Sequence, residues 1–209
     1  MEKGYRSRKE KTRKQRKRVY IVCEGKETGI NYLNGFKERN SGVEIIPVHG
    51  KCTDPRGIVT FAEERMDCKW CIDFDEGDGV WCVFDVDENP SSVIKDMSEH
   101  ASTKNIRIAL SNPSFELWFL LHFKDVFSHI TRQEAKSNLK KFIKDYEKNN
   151  EVNNILSPNL AYAIKRAEKL NQSHESKNTP LLSAESNPSS QVFKLVNFIK
   201  DRIKKNKVD

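Results

Sequence analysis

The chain has 209 residues, 36% of them apolar and 32% charged. That is enough for one sizeable core with an appendage, in a polar protein whose core must be compact. No stretch approaches the roughly 18 apolar residues that cross a bilayer, and no apolar signal region follows the basic N-terminus. A membrane-spanning helix is therefore not expected, nor is secretion, and the cytoplasm is the default.

The net charge of +7 is unevenly placed. Residues 1–18 hold ten Lys or Arg against Glu2 and Glu10, which leaves residues 19–209 close to neutral. Such a tail is either solubilising or drawn to polyanions, and Arg13, Lys14, Arg16, Lys17 and Arg18 are its candidate phosphate contacts. We delimit the tail as residues 1–17.

In chain order, residues 19–23 are an uninterrupted β-branched and aromatic run that ends in Glu24-Gly25. Runs of this kind suggest strands buried on both faces, as in a parallel sheet. Residues 28–39 carry Ile30, Leu33, Phe36 and Lys37 at helical spacing, with Thr28 as the expected N-cap and Asn40-Ser41-Gly42 as the stop. A second strand is expected over 43–48, a polar loop over 49–55 and a helix over 57–69. Residues 72–79 read as a solvated acidic turn. The third strand, 80–84, runs into Asp85-Val86-Asp87. A helix capped by Ser91 or Ser92 extends to about 100, and 105–110 is a fourth strand. This alternation argues for a parallel α/β sheet with right-handed crossovers.

Beyond Ser111 the pattern changes. Residues 113–123 are apolar and aromatic and read as a buried helix. Thr131-x-x-Glu134 is a capping box that opens a helix to about 147. Ser157-Pro158 starts a helix to about 170. Residues 171–186 read as a long loop, and 188–205 as a final amphipathic helix. The tetrapeptide Ser-Asn-Pro-Ser occurs at 111–114 and again at 186–189, and both copies read as helix starts. Cys23 and Cys82 fall inside the buried strands, which fits reduced core residues. Cys68-x-x-Cys71 has no second pair or His at zinc-finger spacing.

The sheet order decides whether a site exists. Ligands bind an open parallel sheet at the carboxyl ends of its strands, where the winding reverses. The order 2-1-3-4 places that reversal between the first and third strands and brings Glu24 beside Asp85 and Asp87. Carboxylates crowded there repel one another unless a cation lies between them. Two Asp residues two apart along a strand share a face, so both can reach one hard cation such as Mg²⁺. The expectation is a Mg²⁺ site acting on phosphate esters, in which Mn²⁺ substitutes. Glu24 is then the candidate general acid or base, and Lys26 a phosphate contact. Glu116, a carboxylate among aromatics, is costly there unless paired or metal-bound, which makes it a candidate second ligand or base. His122 reads as a core histidine. Asn112 could contact phosphate or cap the next helix.

The run Tyr20-Ile21-Val22-Cys23-Glu24-Gly25-Lys26-x-Thr28 with Asn31-Tyr32, and then Val80 through Asp87, resembles the Toprim fold. More narrowly it is similar to the RloB family of Toprim-like proteins. Ser111 through Trp118, Leu121-His122-Phe123 and the later Asn187-Pro188-Ser189-Ser190 with Val192 fit the same pattern, which spans residues 18–200. The resemblance implies a Toprim-like three-layer core over 18–125, with a four-stranded, mainly parallel sheet and a helical portion over 126–209 packed on it. It implies Mg²⁺ binding by Glu24, Asp85 and Asp87. It also implies a nuclease effector in bacterial phage defence, acting on DNA or RNA (transfer RNA included) beside an ATPase. An assembly of identical chains is compatible with this. The alternative is a non-catalytic nucleic-acid-binding or regulatory subunit of such a complex.

Overall fold

The computed structural model describes residues 16–149 and 151–208. Four strands of seven residues alternate with helices as expected: β1 (Lys17–Cys23), α1 (Thr28–Asn34), β2 (Val43–His49), α2 (Pro55–Cys68), β3 (Gly79–Asp85), α3 (Ser91–Thr103) and β4 (Ile106–Asn112). They form an α/β sheet in the order β2-β1-β3-β4-β5, parallel except at its last strand. The fifth strand, β5, is only Ser189–Ser190. It pairs antiparallel with β4, Ser111 against Ser190 and Asn112 against Ser189. The two Ser-Asn-Pro-Ser copies, expected only as helix starts, thus lie against each other in one ladder.

Alternation along the strands divides the core. Val19, Ile21, Cys23, Trp81, Val83 and Ala109 face one side, while Tyr20, Val22, Val80, Cys82, Phe84 and Leu110 face the other. The second side is covered by α2 and α3 through Ile58, Val59, Ala62, Ile94 and Ala101. On the first side α1 supplies Tyr32 and Leu33, with Ile30 packed against them, and the C-terminal part of the chain fills much of the rest. Those elements are α4 (Phe115–Leu120), α5 (Arg132–Leu139), α6 (Asn153–Leu156), α7 (Leu160–Glu175) and α8 (Val192–Val208). Residues 126–208 therefore share one core with the strands. At the start of β3 the approach of α8 is so close that a Cβ on Gly79 would lie 2.6 Å from the Phe198 ring.

Several boundaries move for local reasons. α2 starts early because Asp54 caps it, accepting from the Gly57 N–H at 3.0 Å, with Pro55 at the first position. α5 opens on the expected capping box but stops at Leu139. Ile143 and Tyr146 turn into the core beyond it, and Asp145 takes a left-handed backbone (φ 55°) to allow this. α7 runs on to Glu175, so the loop expected over 171–186 is shorter.

The acidic turn is corrected at one residue. Asp78 is buried, and its carboxylate accepts from the Arg18 backbone N–H (2.6 Å), from Arg18 Nη2 (2.9 Å) and from the Asp73 N–H (3.1 Å). Arg18 also donates to the Cys71 carbonyl. Arg18, expected to meet phosphate, instead pins the start of β1 to the segment before β3. All five cysteines are free, and Cys68 and Cys71 are exposed. Burial pushes the Cys23 thiol up to about 12 and the Cys82 thiol higher still, as befits inert core residues. Among the described residues no helix is long and apolar enough to cross a membrane.

Removing the buried Asp78 carboxylate takes the acceptor from the Arg18 and Asp73 N–H groups and from the partly exposed Arg18 guanidinium. Asp78→Ala is expected to destabilise the chain by about 2 kcal/mol, which for a chain of this size lowers Tm by roughly 4–8 °C. Thermal unfolding followed by circular dichroism checks it, and a loss under about 1 kcal/mol would show that Arg18 and Asp78 do not hold the two strands together.

Candidate active site at the strand ends

The reversal of winding falls between β1 and β3, as the order 2-1-3-4 requires. Parallel pairing puts Val19 against Gly79 and Cys23 against Val83, so β3 runs two residues past the level at which β1 ends. The Glu24 N–H continues the ladder to the Val83 carbonyl (3.0 Å), and the Asp85 N–H donates to Glu24 Oε2 at 2.9 Å. These acids, about sixty positions apart in the chain, are thus in direct contact.

Asp87 arrives by a different route from the one expected. β3 ends at Asp85, so strand alternation does not bring the two Asp residues together. Asp87 sits in the turn beyond, with left-handed backbone (φ 45°), a conformation Asp tolerates better than most residues. The turn is held by the Val86 N–H to the Ser111 carbonyl (3.0 Å) and by Asn89 donating to the Val86 carbonyl through both its backbone and its side chain (3.1 Å each). The Asp87 carboxylate lies against that of Glu24.

One cation joins the cluster. Arg132, the first residue of α5, brings a single guanidinium nitrogen, Nη2, to Asp85 Oδ2 at 2.9 Å and into contact with Asp87 Oδ1. Both carboxylates therefore converge on one point of positive charge. Glu116, in the first turn of α4, is buried and accepts from the Ser114 hydroxyl at 2.7 Å, and its charge is felt at Asp85 and at Arg132. Tyr146 is buried beside Thr28, with Glu116 and Asp85 close enough to act on its hydroxyl.

Burial and crowding shift these groups together. Desolvation raises the Glu24 carboxyl above its ordinary range, and the neighbouring Asp87 charge adds to this, against the relief given by the Asp85 N–H and Arg132. Asp85 is pushed well above the usual carboxylate range. Its desolvation outweighs Arg132, and the charges of Glu24, Glu116 and Asp87 act in the same direction. Arg132 is held protonated by Asp85 and Asp87 despite its own desolvation.

Glu24, Asp85, Glu116 and Arg132 line a cleft of about 410 Å³ whose walls also carry Gly25, Lys26, Thr53, Phe115 and Lys148, and Asp87 stands beside it on Arg132. Thr28 Oγ1 donates to the Lys148 carbonyl (3.3 Å) and Asn31 Nδ2 to the Asn149 carbonyl (3.3 Å), which ties the Lys148 segment to α1 at the rim. Gly25 is not required by packing, since a Cβ there would meet nothing within 4 Å.

Glu24, Asp85, Asp87, Glu116 and Lys26 are therefore gathered at one place. The tail cations are not. Arg13 and Lys14 lie outside the described residues. Arg16, Lys17 and Arg18 stand at the opposite end of β1, roughly 20 Å from Glu24 at the rise of an extended strand. His122 is a core residue, as expected. Its Nδ1–H donates to the Trp118 carbonyl (2.9 Å), and burial lowers its pKa to about 4. Asn112 neither caps α4 nor lines the cleft, and instead its amide donates to the Ser183 and Ala184 carbonyls (3.2 and 3.0 Å).

Arg132 and Lys148 were not among the expected site residues. Arg132 carried one signal: a cation in the first turn of a helix is at the wrong end of its dipole, which asks for an anion nearby.

The donor set suits a hard divalent cation: carboxylate oxygens only, two of them already sharing one positive charge, at the edge of a cleft that Asp85 lines. Among the described residues no three Asp, Glu, His or Cys side chains are posed around one point. As the side chains stand, Asp85 and Asp87 would be the direct ligands, with Glu24 beside them.

Residues 19–199 match the family described as RloB-like protein. The match covers most of the chain, which belongs to this family. No curated protein matches the chain. Among solved structures, a de novo designed Rossmann fold protein aligns with 62% of this chain and 99% of its own, at 17% identity and a TM-score of 0.33, too slight a likeness to add to the topology above.

Two outcomes follow for the apo protein. Asp85 and Glu24 have raised pKa values in the folded chain, so the folded state holds more protons and stability is lost as the pH rises from the ordinary carboxylate range through the folded values. His122 acts oppositely, its contribution being full above 6.5 and lost as the pH falls towards about 4. Asp85→Asn should raise Tm at neutral pH by about 2–4 °C, on the order of 1 kcal/mol, and flatten the decline on the alkaline side. A melt series from pH 4 to 9 checks this, and an unchanged slope would contradict the crowding. Gly25→Ala should leave Tm within about 2 °C of the parent while weakening binding of any ligand that fills the cleft.

Proposed function

We propose that this chain is a Mg²⁺-dependent nuclease of Toprim type, cutting DNA or RNA, transfer RNA included. The observation that carries this reading is the convergence of Asp85 and Asp87 on a single positive charge, with the Glu24 carboxylate bonded to the Asp85 N–H at the adjoining strand end. A pure binder of polyanions gains nothing by facing phosphate with carboxylates.

In this reading Asp85 and Asp87 hold Mg²⁺ or Mn²⁺, with Glu24 able to join them and Glu116 behind. The ion supplies Lewis-acid stabilisation of charge on the phosphoryl oxygens. Glu24 serves as general acid or base, standing at the adjoining strand end with its carboxylate bonded to the Asp85 N–H. Lys26 and Lys148 at the rim meet the flanking phosphates. The basic tail, rooted at the far end of the sheet, draws a long polyanion to the protein rather than gripping the scissile phosphate. The setting is the one the sequence resemblance implies: a cytoplasmic effector of phage defence acting with an ATPase.

A second reading is favoured by Arg132, which already neutralises part of the acid pair. The chain would then bind nucleic acid, or regulate an ATPase, without cutting. Incubation of the purified chain with DNA and RNA in Mg²⁺ or Mn²⁺ separates the two. The nuclease reading predicts cleavage that falls at least about a hundredfold in Asp85→Asn and in Glu24→Gln. Salt-dependent binding with no cleavage under either metal, or equal cleavage by Asp85→Asn, would contradict it.

A further inference from the structure

Arg132 occupies a position that needs explaining. It is the first residue of an eight-residue helix, where the unpaired N–H groups make a cation unfavourable. Its side chain is 44% exposed, so packing does not dictate the residue. Its backbone is nonetheless fixed from both sides. Thr131 and Glu134 close a capping box around it. Just before, the Ile130 N–H donates to Asn187 Oδ1 and Asn187 Nδ2 donates back to the Ile130 carbonyl, each at 2.9 Å. Asn187 belongs to the second Ser-Asn-Pro-Ser copy, which the β4–β5 ladder anchors to the sheet. The chain thus goes to some length to present a guanidinium to Asp85 and Asp87.

The mode of contact is informative. Arginine usually meets a carboxylate with two nitrogens in a fork. Here one nitrogen serves two carboxylates, as a point charge does. Beyond the two it contacts, Glu24 and Glu116 also act on it electrostatically, so its one charge answers to four acids.

We propose that Arg132 is an exchangeable occupant of the Asp85–Asp87 pair, displaced when a divalent cation binds, and that the released guanidinium then binds the substrate phosphate in the same cleft. This rests on the metal reading above. A divalent ion takes the same carboxylate oxygens, offsets more of the negative charge and repels the guanidinium. Arg132 stays tethered at the cleft wall, with Lys26 and Lys148 also lining it, and an anion entering the cleft takes it up. Metal and phosphate binding are thereby coupled: each favours the arrangement that admits the other. Before the ion arrives, Arg132 holds the acids together.

Calorimetric titration of Mn²⁺ into the full chain, without substrate, tests this for the parent, Arg132→Gln and Arg132→Lys. The exchange predicts that Arg132→Gln binds Mn²⁺ at least tenfold more tightly than the parent. Arg132→Lys, which keeps the charge, should stay near the parent. Titration of inorganic phosphate into the Mn²⁺-saturated proteins should show the reverse, with Arg132→Gln weakened about tenfold. Equal Mn²⁺ affinity in the parent and Arg132→Gln would overturn the exchange and leave the metal reading standing. No Mn²⁺ binding by any of the three would overturn both.

Discussion

Carboxylates of like charge, drawn out of water to one edge of a sheet, repel one another, and the arrangement persists only if positive charge is supplied to it. In this chain Glu24, Asp85, Asp87 and Glu116 are brought together, with Arg132 as the counter-charge contacting two of them. The cost shows in the raised pKa values of Glu24 and Asp85. Such crowding works against stability, and proteins retain features of this kind where function requires them.

The fold delivers the cluster through two separate constructions. The doubly wound half (β1 to β4) sets the ends of β1 and β3 side by side, which lets the Glu24 side chain reach the Asp85 N–H. The C-terminal half supplies the cation. It covers the sheet face that α1 leaves bare, returns to pair β5 with β4, and uses Asn187 to clamp the chain just ahead of Arg132. The segment after α5 then crosses to α1 and brings Lys148 to the rim. Residues 126–208 are therefore part of the site as well as of the core.

Much of this could be read from residue order alone, because it rests on local rules. Uninterrupted apolar runs ending in acid mark buried parallel strands, and the reversal between the first and third follows from needing Glu24 beside Asp85. The Thr131–Glu134 capping box marks the start of α5 for the same reason. Features set by distant partners were not legible. β5 is two serines with no strand propensity and exists because Ser111 and Asn112 pair with it. Asp78 looks like any acidic turn residue until Arg18 is folded onto it. Asp87 shares a cation with Asp85 through a left-handed turn rather than strand alternation. Arg132 comes from an element 47 positions beyond Asp85, so no spacing rule links the two.

The central claim is that Asp85 and Asp87 form a site for one divalent cation beside Glu24. Anomalous diffraction from crystals of the full chain soaked in Mn²⁺ addresses it most directly. The account predicts a single strong peak in direct contact with an oxygen of each aspartate, as expected for a small hard cation, with Glu24 beside it. A peak bound elsewhere, or no peak while both aspartates remain on Arg132 at saturating Mn²⁺, would contradict it.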